Sequence, residues 1–258
     1  MGNDTGRVAV VTGGLTGIGL ATAQALHAAG HRVAIGTRRG ASPEARAIVA
    51  REIGKSAILH PLDVRNEASV ERFLAQVRAA LGEVDILVNA AGITIHQTLG
   101  GHSLSDWQDV LDTNLTGPFL TMRACLPAMI ARGWGRIVNI ASTAAHTAVA
   151  DHPAYCASKA GVLGLSRAAA LEGAPHGVTC VTVSPTWVET DMLRESAAVM
   201  AREAGHDHED AIAALAAANP QNRLVQPSEI AALVAFLCSD AAPALTMEDI
   251  QINAGAHW

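Results

Sequence analysis

Seven short runs rich in Val and Ile recur along the chain: Arg7–Val11, Arg32–Ile35, Ala57–His60, Asp85–Val88, Arg136–Ile140, Thr179–Val183 and Asp249–Ile252. They mostly lack polar alternation, which predicts strands covered on both faces, as in a parallel sheet. Between them lie helix-like stretches: Gly17–Ala29, Pro43–Ile53, Glu67–Leu81, Ser105–Arg132 and Ala154–Glu172. Ser105 followed by Asp106 has the form of a helix N-cap, and Gly30 stands where a helix is expected to stop. Repeated strand–helix–strand units predict an α/β fold, a doubly wound parallel sheet of about seven strands with helices on both faces. No internal repeat or low-complexity linker interrupts the pattern, so residues 1–258 read as a single domain. One segment breaks the rhythm. Thr186–Arg223 is a long connection of charged and small residues in two helix-like pieces. It follows a strand whose carboxyl end faces the ligand side of such sheets, so it reads as a substrate lid, with plain surface decoration as the alternative.

Composition narrows the partners. Half of the 258 residues are hydrophobic, yet no stretch reaches the roughly 18 apolar residues of a membrane span. The first dozen residues run straight into a strand, so no signal peptide is expected and the cytoplasm is the expected location. A net charge of -6 without a basic cluster argues against nucleic acid. Cys125, Cys156, Cys180 and Cys238 are scattered without a CxxC pair and read as free thiols. His206 and His208 form an HxH, but no carboxylate–His spacing accompanies it, so no metal site is expected.

The first strand leads into Thr12-Gly13-Gly14-Leu15-Thr16-Gly17-Ile18-Gly19. A glycine-rich strand-to-helix turn lets the backbone approach a pyrophosphate, which the following helix N-terminus attracts. Taken alone, such a turn reads equally well as ordinary chain reversal; its place after strand one favours a dinucleotide. Asp63, with Val64, follows the third strand, where a carboxylate can accept an adenine amino group or cap the next helix. Asn89-Ala90-Ala91-Gly92 ends strand four with residues small enough to pass beneath a cofactor. At the end of strand two, Thr37 occupies the position where an NAD site carries a carboxylate, and Arg38 follows it. Arginine suits a ribose 2′-phosphate, so NADP(H) is the expected cofactor and NAD(H) the alternative.

Tyr155 is the only tyrosine, and Lys159 lies one helical turn later. A neighbouring ammonium is expected to favour the phenolate and bring the phenol within reach of acid–base work. Ser142, after the fifth strand, can hydrogen-bond a substrate oxygen or simply cap a turn. Asn114 sits inside a predicted helix, and Pro118, four residues on, has no N–H for its carbonyl. That carbonyl is then free for a water, unless the helix kinks or ends there.

Taken together, Thr12-Gly13-x-x-x-Gly17-Ile18-Gly19, Asp63, Asn89-Ala90-Ala91-Gly92, Asn114, Ser142, Tyr155-x-x-x-Lys159 and Ser184-Pro185 resemble the short-chain dehydrogenase/reductase family in its single-domain form, which has a Rossmann-type sheet. The resemblance implies a role for each. Tyr155 is the proton donor in reduction and the base in oxidation. Lys159 tunes it and binds the nicotinamide ribose, Ser142 orients the carbonyl, and Asn114 holds a water leading to Lys159. Gly13, Thr16, Gly17, Ile18, Gly19, Thr37, Arg38, Asp63, Val64, Asn89, Ala90, Gly92, Pro185, Val188 and Thr190 fall at cofactor positions, Thr190 near the carboxamide. Two departures stand out. Thr186 replaces a usual Gly, and Ile252-Asn253-Ala254-Gly255 replaces a commoner Val-Asp-Gly-Gly. A homotetramer or homodimer is implied, with Ser105–Arg132 and Ala154–Glu172 in an interface.

The substrate is less legible. In length and layout the lid resembles that of 3-hydroxybutyrate dehydrogenases more than that of acyl-carrier-protein reductases. His96, His146, His152 and Trp187, with Gln97 and Arg194, fall in segments expected to border a pocket for a small polar or anionic molecule. The expected reaction is reversible, NADP(H)-dependent interconversion of a small ketone or keto acid and its secondary alcohol. The alternatives are a 3-oxoacyl-thioester reductase, an NAD-dependent polyol or hydroxy-acid dehydrogenase, and a catalytically silent cofactor-sensing or scaffold protein. The intact Ser142, Tyr155 and Lys159 speak against the last.

Overall fold

A computed structural model describes residues 6–205 and 207–256. Seven parallel strands lie in the order β3-β2-β1-β4-β5-β6-β7. They are β1 (Val8–Thr12), β2 (Arg32–Thr37), β3 (Ile58–Pro61), β4 (Ile86–Asn89), β5 (Gly135–Ile140), β6 (Val178–Pro185) and β7 (Asp249–Ile252). The order reverses between β1 and β4, which opens a crevice beyond their carboxyl ends.

Strand side chains alternate across the sheet and are apolar on both faces. Ala9, Val11, Ile35, Val88 and Val138 face helices α1 (Gly17–Ala28), α2 (Pro43–Glu52) and α9 (Pro227–Leu237). Val8, Val10, Leu87 and Ile137 face α3 (Glu67–Leu81), α5 (Gly117–Arg132) and α6 (Pro153–Gly173). With both faces covered, the strands need no polar alternation, which is why they read as continuous apolar runs.

The expected helix Ser105–Arg132 is corrected. It comprises α4 (Leu104–Leu111), a π-helical turn Asp112–Thr116, and α5. Its N-cap is Ser103, whose hydroxyl accepts from Asp106 N, not Ser105. Pro118 cannot donate to the carbonyl of Asn114, and the chain widens into a π turn just before it. The two helix-like pieces of the Thr186–Arg223 connection are α7 (Asp191–Ala204) and α8 (His208–Ala217).

Neither departure disturbs the chain path. Thr186 needs no left-handed backbone, and its N–H donates to the Ile252 carbonyl. Ala254 does take a positive φ of 49°, a conformation better suited to glycine, yet its carbonyl still accepts from Gln221 N.

Candidate active site

Two adjoining cavities open at the carboxyl edge. The larger, about 560 Å³, is lined by Gly13, Thr16, Gly17, Gly19, Thr37, Arg38, Asp63 and Val64. The smaller, about 150 Å³, is lined by Ser142, Tyr155, Lys159, Pro185, Trp187 and Val188. Ile18, Ala90, Gly92, Thr190 and Met192 line both, so the cleft is continuous.

The glycine turn is tight for a steric reason. A Cβ on Gly19 would lie 2.5 Å from the Gly13 carbonyl oxygen, and one on Gly13, at φ 71°, 2.8 Å from Ala91 Cα. Thr16 at the α1 N-cap makes no side-chain capping bond, which leaves the first N–H groups of the helix for an anion. Thr12 Oγ1 accepts from both Ala90 N and Ala91 N, fixing the end of β4 beside that turn. The cradle and its positive end fit a dinucleotide pyrophosphate. Asp63 is gripped by Arg65 through Nε at 3.0 Å and Nη2 at 2.8 Å, and this side-chain bonding holds its carboxyl below the usual range. Sequence reasoning missed Arg65 and Arg39, which line the same cavity; basic residues off any motif give no signal.

Asn89 is placed differently. Its amide donates to Asn139 Oδ1 at 2.8 Å and accepts from Thr121 at 2.8 Å, in a buried polar network beneath the cleft. It lines neither cavity. Asn114 also works through its side chain: it accepts from Ile93 N and donates to the Ile93 carbonyl, both at 2.9 Å, and donates to Ser158. This clamps the strand exit just after Gly92.

Tyr155 and Lys159 project from α6, whose start is fixed by Pro153 in its first turn. Ser142 stands two residues past the end of β5. The effect expected of Lys159 on Tyr155 is corrected. Burial pushes the Tyr155 phenol above its ordinary range, and a hydrogen bond with the Ser142 hydroxyl pulls it down. Lys159 Nζ lies 5.5 Å from the Tyr155 ring centroid and donates to the Ile140 carbonyl at 2.7 Å. Burial pushes its own pKa down to about 8.

Of the expected substrate residues, His152 and Trp187 line the smaller cavity. His96 stands behind His152, their rings stacked 4.9 Å apart. His146 is corrected: it turns away to Asp249, Nε2 to Oδ2 at 2.6 Å, because that carboxylate waits at the neighbouring sheet edge. Gln97 and Arg194 line neither cavity; Gln97 N donates to the Asp151 carbonyl and Arg194 pairs with Glu189. Thr94, Val149, Met192, Leu193 and Ser196 also line the wall, and only folding brings them there. Of the HxH pair, His206 lies outside the described residues; His208 Nε2 meets the Arg194 carbonyl. No cluster of three or more potential metal ligands exists among the described residues.

A family model described as short chain dehydrogenase matches residues 7–200. The 3-oxoacyl-acyl-carrier-protein reductase FabG of Salmonella typhimurium is 37% identical, with 98% of each chain covered. D-threitol dehydrogenase of Mycolicibacterium smegmatis is 39% identical, covering 97% of this chain and 92% of that one. Among solved structures, a point variant of actinorhodin polyketide ketoreductase with NADPH superposes with a TM-score of 0.92 at 38% identity, over 98% of both chains. Agreement of this extent, in sequence and backbone alike, makes the chain a member of the short-chain dehydrogenase family, an NAD(P)-dependent oxidoreductase of CH–OH and C=O groups.

Proposed function

We propose that this enzyme reduces a small ketone or keto acid to its secondary alcohol, reversibly, with NADPH. The observation that carries the reading is the continuity of the two cavities: Gly92, Thr190 and Met192 border both the phosphate-binding turn and the Tyr155 pocket. A reduced nicotinamide bound across that border supplies a hydride. The protein's own residues do the rest. Tyr155 donates its phenolic proton to the carbonyl oxygen, which takes the negative charge as the alcohol forms. Ser142, in the same cavity as Tyr155, turns its hydroxyl to donate to the same oxygen and orients it. Lys159, 5.5 Å from the Tyr155 ring centroid, sets a cation beside the phenolate as it forms, and Asn114 holds the chain after Gly92 in place through Ile93. Arg38 and Arg39, beside Thr37, offer guanidinium groups to a 2′-phosphate, which supports NADPH over NADH. The lid is residues 186–223, whose Trp187, Met192, Leu193 and Ser196 border the pocket.

A 3-oxoacyl-thioester reductase is the second reading, favoured by full-length relatives named 3-oxoacyl-acyl-carrier-protein reductase. An assembly of two or four chains is part of the proposal; Leu104, Phe119 and Leu171 are exposed on α4, α5 and α6. No helix among the described residues is long and apolar enough to cross a membrane. All four cysteines are free, which supports a reducing, cytoplasmic location.

The test is NADPH consumption against ketones, keto acids and 3-oxoacyl thioesters, repeated with Tyr155→Phe. Turnover is expected to fall by about 10²- to 10⁴-fold in the variant, the usual worth of a positioned acid. Undiminished turnover would remove Tyr155 as proton donor, and an inert wild type would leave the silent reading standing.

A further inference from the structure

The wall of the smaller cavity beside Tyr155 carries a histidine whose chemistry is constrained. His152 is only 5% exposed and lines that cavity. Its Nδ1 lies 2.6 Å from the carbonyl oxygen of Ala150. A carbonyl only accepts, so Nδ1 carries the hydrogen. The other ring nitrogen, Nε2, has no protein partner among the described residues and is not sealed from solvent. The residue lines the cavity, and Nε2 is the ring nitrogen left for a ligand.

The surroundings hold this arrangement. The His96 ring stacks on His152 at an interplanar angle of 16°, and Tyr155 meets the same ring edge-on at 6.5 Å. Asp151, just before it, sits at φ 58°, a left-handed conformation rare outside glycine. Its carbonyl accepts from Gln97 N at 2.7 Å, and its carboxylate lies 3.5 Å from His96 Nε2. The segments that carry His96 and His152 are therefore tied together. Burial, and the neighbouring His96 and His102, disfavour a charge on it; the Ala150 bond and Asp151 favour one, and the balance puts its pKa below the ordinary 6.5. At neutral pH the ring is an uncharged acceptor.

The pocket thus offers donors at Ser142 and Tyr155 and, beside them, an acceptor. We infer that His152 is a specificity-determining residue, whose Nε2 accepts a hydrogen bond from a hydroxyl on a carbon next to the reacting carbonyl, so that the preferred substrates are hydroxyketones and the corresponding vicinal diols. This rests on the ketone-reductase reading above and narrows it. A carboxylate has no proton to give Nε2, and a simple ketone leaves it unpaired. Either mismatch strips a polar group of water without replacing the bond, the loss on which hydroxyl discrimination depends.

The experiment compares kcat/KM with NADPH for 1-hydroxy-2-butanone and 2-butanone, and for acetoacetate, in the wild type, His152→Phe and His152→Gln. The readout is the hydroxyketone-to-ketone ratio within each protein, so the amount of folded enzyme cancels. The wild-type ratio is expected at about 10 or more, the worth of one neutral hydrogen bond. It is expected near one in His152→Phe and partly restored in His152→Gln, whose side-chain oxygen accepts. A wild-type ratio near one, a ratio that survives in His152→Phe, or acetoacetate as the best substrate would each overturn the inference and leave the ketone-reductase reading intact. Failure to reduce any ketone would overturn both.

Discussion

Lys159 Nζ donates to the Ile140 carbonyl at 2.7 Å, so the ammonium one helical turn from Tyr155 is anchored to the end of β5. The bond ties α6 to the strand that ends beside Ser142. It does not offset the full cost of burying the charge, and the lysine pKa falls from 10.5 to about 8.

That cost gives a stability prediction with a defined sign. Between about pH 8 and 10.5 the unfolded chain holds the lysine proton and the folded chain has released it. Folding stability from this group therefore rises with pH across that window, and the penalty is fully present below it. Lys159→Met is expected to stabilise the protein at pH 7 by about 1–3 kcal/mol, one pKa unit being about 1.4 kcal/mol, less the lost Ile140 bond. Thermal melts at pH 7 and pH 10 check this; the advantage should shrink at the higher pH while activity is lost at both.

Arg38 borders the larger cavity where a 2′-phosphate would lie. Arg38→Ala is expected to weaken NADPH binding about 10- to 100-fold, the worth of a charge-assisted hydrogen bond, and to leave NADH within about 3-fold. Fluorescence titration with each cofactor reads both. Tighter NADH than NADPH binding in the wild type, with NADPH unaffected by the substitution, would reject the phosphate site.

His146 ties the turn after Ser142 to β7 through Asp249, whose Oδ1 also accepts from Ser184 at 2.6 Å. His146→Ala should cost about 1 kcal/mol of stability, since the histidine is part-exposed. Relative rates among substrates should not change, because the side chain lies outside the cavity. A shift in substrate preference would return His146 to the pocket.

Ala254 adopts φ 49°, where a Cβ is strained. Ala254→Gly is expected to raise stability by up to about 1 kcal/mol, the relief of left-handed strain less glycine's greater unfolded-state freedom. Chemical denaturation measures it directly.

Much of the molecule was legible from local pattern. The strands and the bounds of α3 follow from apolar pattern, because the central strands are buried on both faces and α3 along one stripe. Gly13 and Gly19 were legible because close backbone approach leaves no room for a Cβ, and Gly17 because its φ of 51° suits glycine, demands that show in the chain itself. The lysine effect on Tyr155 was misread, since spacing says that two side chains share a helix face and nothing of what else bonds them.

The amino-acid order alone determined the sheet, the cofactor turn and the chemical group at Tyr155, all of which depend on neighbours a few residues apart. Only the folded chain decided that Asn89 is buried in a polar network, that His146 belongs to Asp249, that Arg65 grips Asp63, and that His152 faces the pocket with one nitrogen committed. Those outcomes depend on partners from distant elements, and which carbonyl or carboxylate comes within about 3 Å of a side chain, the reach of a hydrogen bond, is set by how the layers pack.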